Sequence, residues 1–358
     1  MSVQLFPTTV IGSMPRPPAV KDLLDAYEDG SVSFDAFQHR CDAFVQFVIA
    51  LQEQAGIDII SDGEWRRTSY VDVVTEVMDG FEYVERELFT YHKCIVEKMA
   101  PKRESVVAEE AAFLKEHASV GTKACLPSPY LMGTRMWEPK YSKGAYATRE
   151  EFMWELVPVM RKELDALLEV GIDVIQLDEP HLCVFVDRDV QSQYEDPQAE
   201  MQLAVDLLNA IVEGHEPSTL AVHLCRRNWG RKGWGAEGGY EPLLPYIQQL
   251  KVKSLMMEFA IPVAGDVAVL DQLPQHYTIG LGCVDCRFPE IESANTIADR
   301  VRKATSIIAP ERIQLNPDCG FAPGMLPEVP LDEAYEKLKN EVAAARLLRD
   351  EYGGEGSS

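Results

Sequence analysis

One phrase occurs twice in this chain, and it restricts the fold more than any other feature. Gly56-Ile57-Asp58-Ile59-Ile60-Ser61-Asp62-Gly63-Glu64 is echoed by Gly171-Ile172-Asp173-Val174-Ile175-Gln176-Leu177-Asp178-Glu179-Pro180. Each copy follows a long amphipathic stretch, Phe34 to Gln54 in the first case and about Glu150 to Val170 in the second. In the first stretch Ala43, Phe44, Phe47, Val48 and Leu51 form one apolar stripe at helical spacing. The glycine stands where a helix stops, a short β-branched run follows, and acids come at its exit. This is the helix-to-strand phrase of a parallel sheet.

Other segments repeat the theme. Leu5 to Ile11 reads as a first strand, ended by Gly12-Ser13-Met14-Pro15, and Val20 to Tyr27 reads as a helix. Between the repeated phrases, Phe81 to Met99 suggests a strand pair and Glu104 to Glu116 a helix. Ser119 to Leu126 is a strand closed by Pro127 and Pro129. Later strands are Ser218 to Cys225, Lys253 to Phe259, Tyr277 to Cys283 and Arg312 to Asn316. Helices are expected over Ala199–Glu213, Pro242–Leu250, Ala294–Ile308 and Leu331–Tyr352. Eight strands, near residues 7, 59, 122, 175, 221, 256, 280 and 314, predict an α/β fold of the (β/α)8 barrel type. The expected organisation is one catalytic barrel over residues 1–352, with an insertion at about 81–117 and a disordered tail at 353–358. An open doubly wound sheet is the alternative, disfavoured by the missing Gly-rich dinucleotide fingerprint.

Composition removes several function classes. The net charge is −24, so the surface repels phosphate backbones and nucleic acid is not an expected partner. Nothing reaches 18 uninterrupted apolar residues, and no basic-then-apolar leader opens the chain, so neither a membrane partner nor secretion is expected. The eight cysteines then read as reduced thiols in a cytoplasmic protein, some of them available to a metal. The oligomeric state is open, a homo-oligomer included.

In a barrel, polar residues at strand exits converge on one mouth. Here they are Ser13, Asp62, Glu64, Asp178, Glu179, His223, Cys225, Glu258 and Cys319. His223 and Cys225 are two apart on a strand and share a face. With Glu258 and Cys319 they make an N/S/O/S set suited to tetrahedral Zn²⁺. The competing reading makes the two cysteines buried filler and Glu258 a surface acid. Zinc with two thiolates is a mild Lewis acid, suited to holding a third thiol as thiolate, which predicts alkyl transfer to sulfur. Glu64 and Asp178 suit the ammonium of an amino-acid substrate, or else cap the next helices. Cys283-Val284-Asp285-Cys286 is either a competing metal or redox pair or a feature of the substrate side.

The chain resembles the cobalamin-independent methionine synthase family, in its catalytic C-terminal barrel. The matching phrases are Ile11-Gly12-Ser13, Asp62-Gly63-Glu64, Ile175 to Pro180, His223-Leu224-Cys225, Met257-Glu258 and Asn316-Pro317-Asp318-Cys319-Gly320, within about residues 7–325. The resemblance implies zinc on His223, Cys225, Glu258 and Cys319. It implies homocysteine contacts at Ile11, Ser13, Glu64 and Asp178, and methyl transfer from a methylated folate such as 5-methyltetrahydrofolate to homocysteine, giving methionine. The extra N-terminal barrel of the full-length enzymes is absent. The family's usual His after the seventh strand aligns with Cys286-Arg287, so its role does not carry over. Single-barrel relatives include an epoxyalkane:coenzyme M transferase, so another thiol is the alternative acceptor; a non-catalytic thiol-binding barrel is a third reading. Arg66, Arg67, Arg226 and Arg227 are candidate contacts for a carboxylate, a sulfonate or folate glutamates, or equally solvated side chains, and Arg287 is a further candidate substrate contact.

Overall fold

The computed structural model of the chain describes residues 4–323 and 328–353. Nine strands lie among them: β1 Ile59–Ile60, β2 Met78–Glu82, β3 Cys94–Pro101, β4 Gly121–Pro127, β5 Val174–Asp178, β6 Leu220–Leu224, β7 Ser254–Glu258, β8 Thr278–Val284 and β9 Ile313–Pro317. The two glycine-led phrases fold as the repeat predicts. Helix Phe34–Ala55 ends at Gly56 with φ 91°, and helix Arg149–Val170 at Gly171 with φ 80°. Only a residue without Cβ adopts that left-handed geometry at little cost, and it turns the chain from helix into β1 and into β5.

Seven strands form one parallel sheet in the order β1-β4-β5-β6-β7-β8-β9. The segment around Thr8 joins its two ends. Thr8 bridges Leu315 of β9 and Thr9 bridges Ile59 of β1, both in parallel. The Thr9 N–H donates to the Leu315 carbonyl at 2.9 Å, and the Ile59 N–H to the Thr8 carbonyl at 3.0 Å. The sheet thus closes through an eighth position, which is the barrel arrangement. The first strand, expected over Leu5–Ile11, shrinks to these two bridges. Pro7 has no N–H to give, and the Val10 and Ile11 carbonyls are taken by side chains, Lys123 Nζ at 2.6 Å and Gln176 Nε2 at 2.9 Å.

The insertion is an antiparallel hairpin of β2 and β3 followed by helix Val107–His117. The helix expected over Pro242–Leu250 is not formed as such. A 3₁₀ turn, Glu241–Leu243, and one helical turn, Leu244–Ile247, replace it, because Pro242 and Pro245 fit only first-turn positions. A helix not anticipated, Pro129–Met136, follows β4, capped by Ser128, whose Oγ accepts from the Leu131 N–H. The closing helix runs Leu331–Gly353; the rest of the expected tail lies outside the described residues.

Strand parity sorts side chains between two environments. On β6, Val222 and Leu224 join the core beneath the helices, while Ala221 packs with Ile11 and Met256 inside the barrel. Each fully buried Leu or Val contributes roughly 1.5–3 kcal/mol. His223 has the parity of Ala221, and Cys225 continues it to the mouth.

Candidate metal centre

His223, Cys225 and Cys319 converge: one ligand atom from each lies within 4.8 Å of the others. Their elements explain this. His223 and Cys225 leave β6 on its inner face, and Cys319 leaves β9. Asp318 fixes the Cys319 turn, since its Oδ1 accepts the Phe259 and Ala260 N–H groups beyond β7, each at 2.9 Å. The two sulfurs stand 3.8 Å apart, with Cys319 donating to Cys225. That hydrogen bond, against burial and together with His223, pulls the Cys225 thiol down to about 5. Cys319, the donor, is held well above the ordinary thiol value. Burial opposes the imidazolium of His223, but the Cys225 thiolate and the Asp178 carboxylate hold its pKa well above normal.

A second buried group adjoins the first. Glu64, Cys125 and Asp178 also bring ligand atoms within 4.8 Å of one another. Asp178 links the two groups: its Oδ1 lies 3.2 Å from His223 Nδ1 and accepts from Gln176 Nε2 at 2.8 Å. Glu64 sits in the left-handed region, φ 57°, directly after Gly63 at φ 69°. A backbone so constrained is costly for Glu and persists where the surroundings enforce it. Burial raises Glu64 to about 7, with Arg67 opposing and Asp178 and Asp62 adding to the rise. Two close buried carboxyl groups suit an ammonium. Gly12 permits their approach: a Cβ there would stand 2.6 Å from Glu64 Oε1 and 2.9 Å from Cys125 Sγ.

Glu258 is placed differently from the other three expected ligands. It is fully buried (0 % exposed). Its Oε2 accepts from the Arg226 N–H at 2.8 Å and from Arg226 Nη1 at 3.3 Å, and its Oε1 accepts from Arg287 Nη2. It lies outside the three-residue group. Arg226 and Arg287 are equally buried and both pair with this carboxylate; Arg66 and Arg67 are likewise paired, with Asp42 and Glu110. The Ile11 carbonyl accepts from Cys125 Sγ and Gln176 Nε2. Ser13 lies against the Cys319 turn, its carbonyl accepting the Phe321 N–H at 2.9 Å. Cys283 and Cys286 are free, buried thiols in separate parts of the core, and burial pushes both up. A cavity of about 220 Å³ between the N-terminal helices and the hairpin is lined by Tyr27, Phe37, Arg67 and Glu110 among others, and by none of the metal-binding set.

Several residues of the site escaped the sequence reading. Cys125 carried a usable signal, since it stands at the exit of an expected strand; Gln176, inside the second phrase, lies one turn of pleat below Asp178. Asp318 lay inside a quoted motif with no role given. Arg135, His181 and Tyr70 gave none, because long-range packing alone brings them to the mouth.

A parallel α/β barrel with an imidazole and two thiols gathered at its C-terminal mouth is a barrel of the enzyme type, with a residue group there that could hold a metal ion. The chain belongs to the family described as cobalamin-independent synthase, catalytic domain, whose profile matches residues 6–347. Similar relatives are the methionine synthases of Thermococcus kodakarensis, 28% identical over 100% of this chain and 98% of the relative, and of Pyrococcus abyssi, 29% identical over 99% and 96%. The fold is shared with a B12-independent methionine synthase from Shewanella sp. W3-18-1 in complex with selenomethionine, at a TM-score of 0.78, 23% identity, and coverage of 98% of this chain and 99% of that one. A putative vitamin-B12-independent methionine synthase from Listeria monocytogenes gives a TM-score of 0.72 at 22% identity, covering 97% and 99%. Among the described residues no helix is long and apolar enough to cross a membrane.

Proposed function

We propose that the chain transfers a methyl group from a methylated folate to the sulfur of homocysteine, with zinc held by His223, Cys225 and Cys319. The observation that carries the reading is the sulfur geometry. Two sulfurs each about 2.3 Å from a tetrahedral zinc stand roughly 3.8 Å apart, and Cys225 and Cys319 have that separation. His223 completes the set with Nε2, while Asp178 engages its Nδ1 and fixes the ring. Three protein ligands leave one position for a substrate. Glu258 is held by Arg226 and Arg287 and lies outside the three-residue group, which leaves that position to an incoming thiol.

Zinc bound there supplies the charge that keeps an incoming thiol deprotonated and nucleophilic at neutral pH. The remaining work belongs to the chain's own residues. Glu64 and Asp178 hold the amino-acid ammonium and thereby orient the sulfur toward the metal set. Ser13 borders the same space. Cys125 closes its floor as a neutral thiol, since burial holds its pKa well above normal. The relatives named methionine synthase along the whole chain support homocysteine as the acceptor.

The test is metal analysis followed by titration with homocysteine, with proton release recorded for the wild type and Cys319→Ser. About one zinc per chain and a proton released on binding are expected for the wild type, with both reduced in the variant. Zinc without homocysteine binding overturns this acceptor in favour of another thiol. Protein that neither retains nor takes up zinc overturns the metal set.

A further inference from the structure

Near the metal set stand two guanidiniums that no carboxylate pairs with among the described residues. Arg135, on helix Pro129–Met136, is only 7 % exposed. It donates from Nε to His181 Nε2 and from Nη1 to His92 Nε2, both at 3.4 Å. Both imidazoles are neutral acceptors: burial lowers each pKa, His181's well below the usual value with Arg135 and Arg227 adding to the effect. His92 turns its other nitrogen to Asp72, 3.1 Å away, so that carboxylate is one imidazole removed from Arg135.

Arg227 is the second guanidinium, half-buried, two residues past Cys225. Among the described residues its guanidinium makes no ion pair, whereas Arg66, Arg67, Arg226 and Arg287 each have a carboxylate. The ring of Phe89, from the insertion, lies 5.8 Å from each of Arg135 and Arg227. Arg227 also has φ 66°, and its carbonyl accepts from Arg287 Nη2 at 2.9 Å. A non-glycine residue locked in that region, next to a like charge, is held there by the rest of the fold. Two sequestered, mutually repelling cations are unfavourable in a free protein, and a bound oxyanion offsets both costs. In a chain of net charge −24, an unpaired cationic pair stands out further from its surroundings.

We propose that Arg135 and Arg227 form a carboxylate-binding subsite beside the metal set, and that it takes the carboxylates of the methyl donor. The proposal rests on the function given above. The acceptor is the less suitable source. With its ammonium at Glu64 and Asp178, the α-carboxylate of homocysteine is attached to the same carbon and stays near Ser13. The buried Tyr70 hydroxyl feels the charge of Arg135 as well as those of Asp178, Cys225 and Cys319, so the arginine lies near the mouth but is not part of the carboxyl pair. A donor approaching the sulfur from the open mouth has its remainder under the insertion, where Phe89 and His92 lie.

The experiment uses zinc-loaded enzyme and two probes that do not turn over together: homocysteine by calorimetry, and unmethylated tetrahydrofolate by equilibrium dialysis in the presence of homocysteine. Arg135→Gln, Arg227→Gln, their double variant and Arg227→Lys are compared, with zinc content as the control for folding. Each Gln variant is expected to weaken tetrahydrofolate about tenfold, as loss of a charge-assisted bidentate contact does. The double variant weakens it further, Arg227→Lys restores part of the loss, and homocysteine affinity stays unchanged throughout. Tetrahydrofolate bound equally by wild type and all variants overturns the subsite. A loss confined to homocysteine overturns the donor assignment and gives the pair to the acceptor. Wild type that binds homocysteine but no tetrahydrofolate also overturns the donor assignment. Wild type that binds no homocysteine overturns the underlying function, and the proposal with it.

Discussion

His223 and Asp178 meet through their side chains, Nδ1 to Oδ1 at 3.2 Å, and this contact joins the metal set to the carboxyl pair. Asp178 therefore has two functions, orienting the imidazole and receiving an ammonium. Asp178→Asn keeps the size and loses the charge. Loss of such an outer partner typically costs 10–100-fold in metal affinity. We expect zinc affinity to fall by about that factor, measured by chelator competition, and homocysteine affinity to fall with it. A variant with both affinities intact would show that the contact does neither job.

Glu258 separates two models of the metal set. As the counter-ion of two buried arginines it is structural; as a fourth ligand it is needed for zinc. Breaking a buried pair from one side costs about 3–5 kcal/mol, and Glu258 serves both Arg226 and Arg287. Glu258→Gln is therefore expected to lose several kcal/mol of stability in urea while retaining one zinc per chain when folded. Folded, stable variant protein depleted of zinc would restore Glu258 as a ligand.

How much of this was legible in the sequence depended on range. The repeated glycine-led phrases gave the parallel strands β1 and β5, because Gly56 and Gly171 encode a local turn. Strand parity put His223 and Cys225 on one face for the same local reason. Cys319 joined them only through the barrel hypothesis, yet the structure brings it to the pair. By its place at a strand exit Glu258 reads as a zinc ligand. Its engagement is set by Arg226 and Arg287, 32 and 29 residues away, whose pairing no local pattern announces. The short first strand has a similar cause, since the side chains that take the Val10 and Ile11 carbonyls come from β4 and β5.

Glu64 predicts a pH dependence of the metal-free protein. Burial raises its pKa from 4.5 to about 7, so the folded protein holds a proton there that the unfolded chain has released. Its contribution to stability is fully present below about pH 4.5 and is lost as pH rises through about 7. The loss is up to about 3 kcal/mol. Glu64→Gln has no such proton, so relative to wild type the variant should gain stability between pH 5 and pH 7.5. Urea denaturation at both values measures it. A wild-type-to-variant difference that does not change with pH would mean that Glu64 titrates normally in the folded protein.

Gly12 tests whether the carboxyl pair needs its close approach to the first strand exit. An added Cβ meets Glu64 Oε1 at 2.6 Å and Cys125 Sγ at 2.9 Å, both ends of side chains and neither of them backbone. The fold can yield by moving those groups, so Gly12→Ala is expected to cost only about 1–3 kcal/mol, the usual range for overpacking. The groups that yield are the ones assigned to the substrate. Moving Glu64 carries its carboxylate away from Asp178, whose position is fixed by Gln176 and His223. Homocysteine affinity should therefore fall tenfold or more, while zinc content stays at the wild-type level because His223, Cys225 and Cys319 are untouched. Calorimetric titration of the zinc-loaded variant gives the answer, and wild-type affinity would mean that the ammonium is held elsewhere.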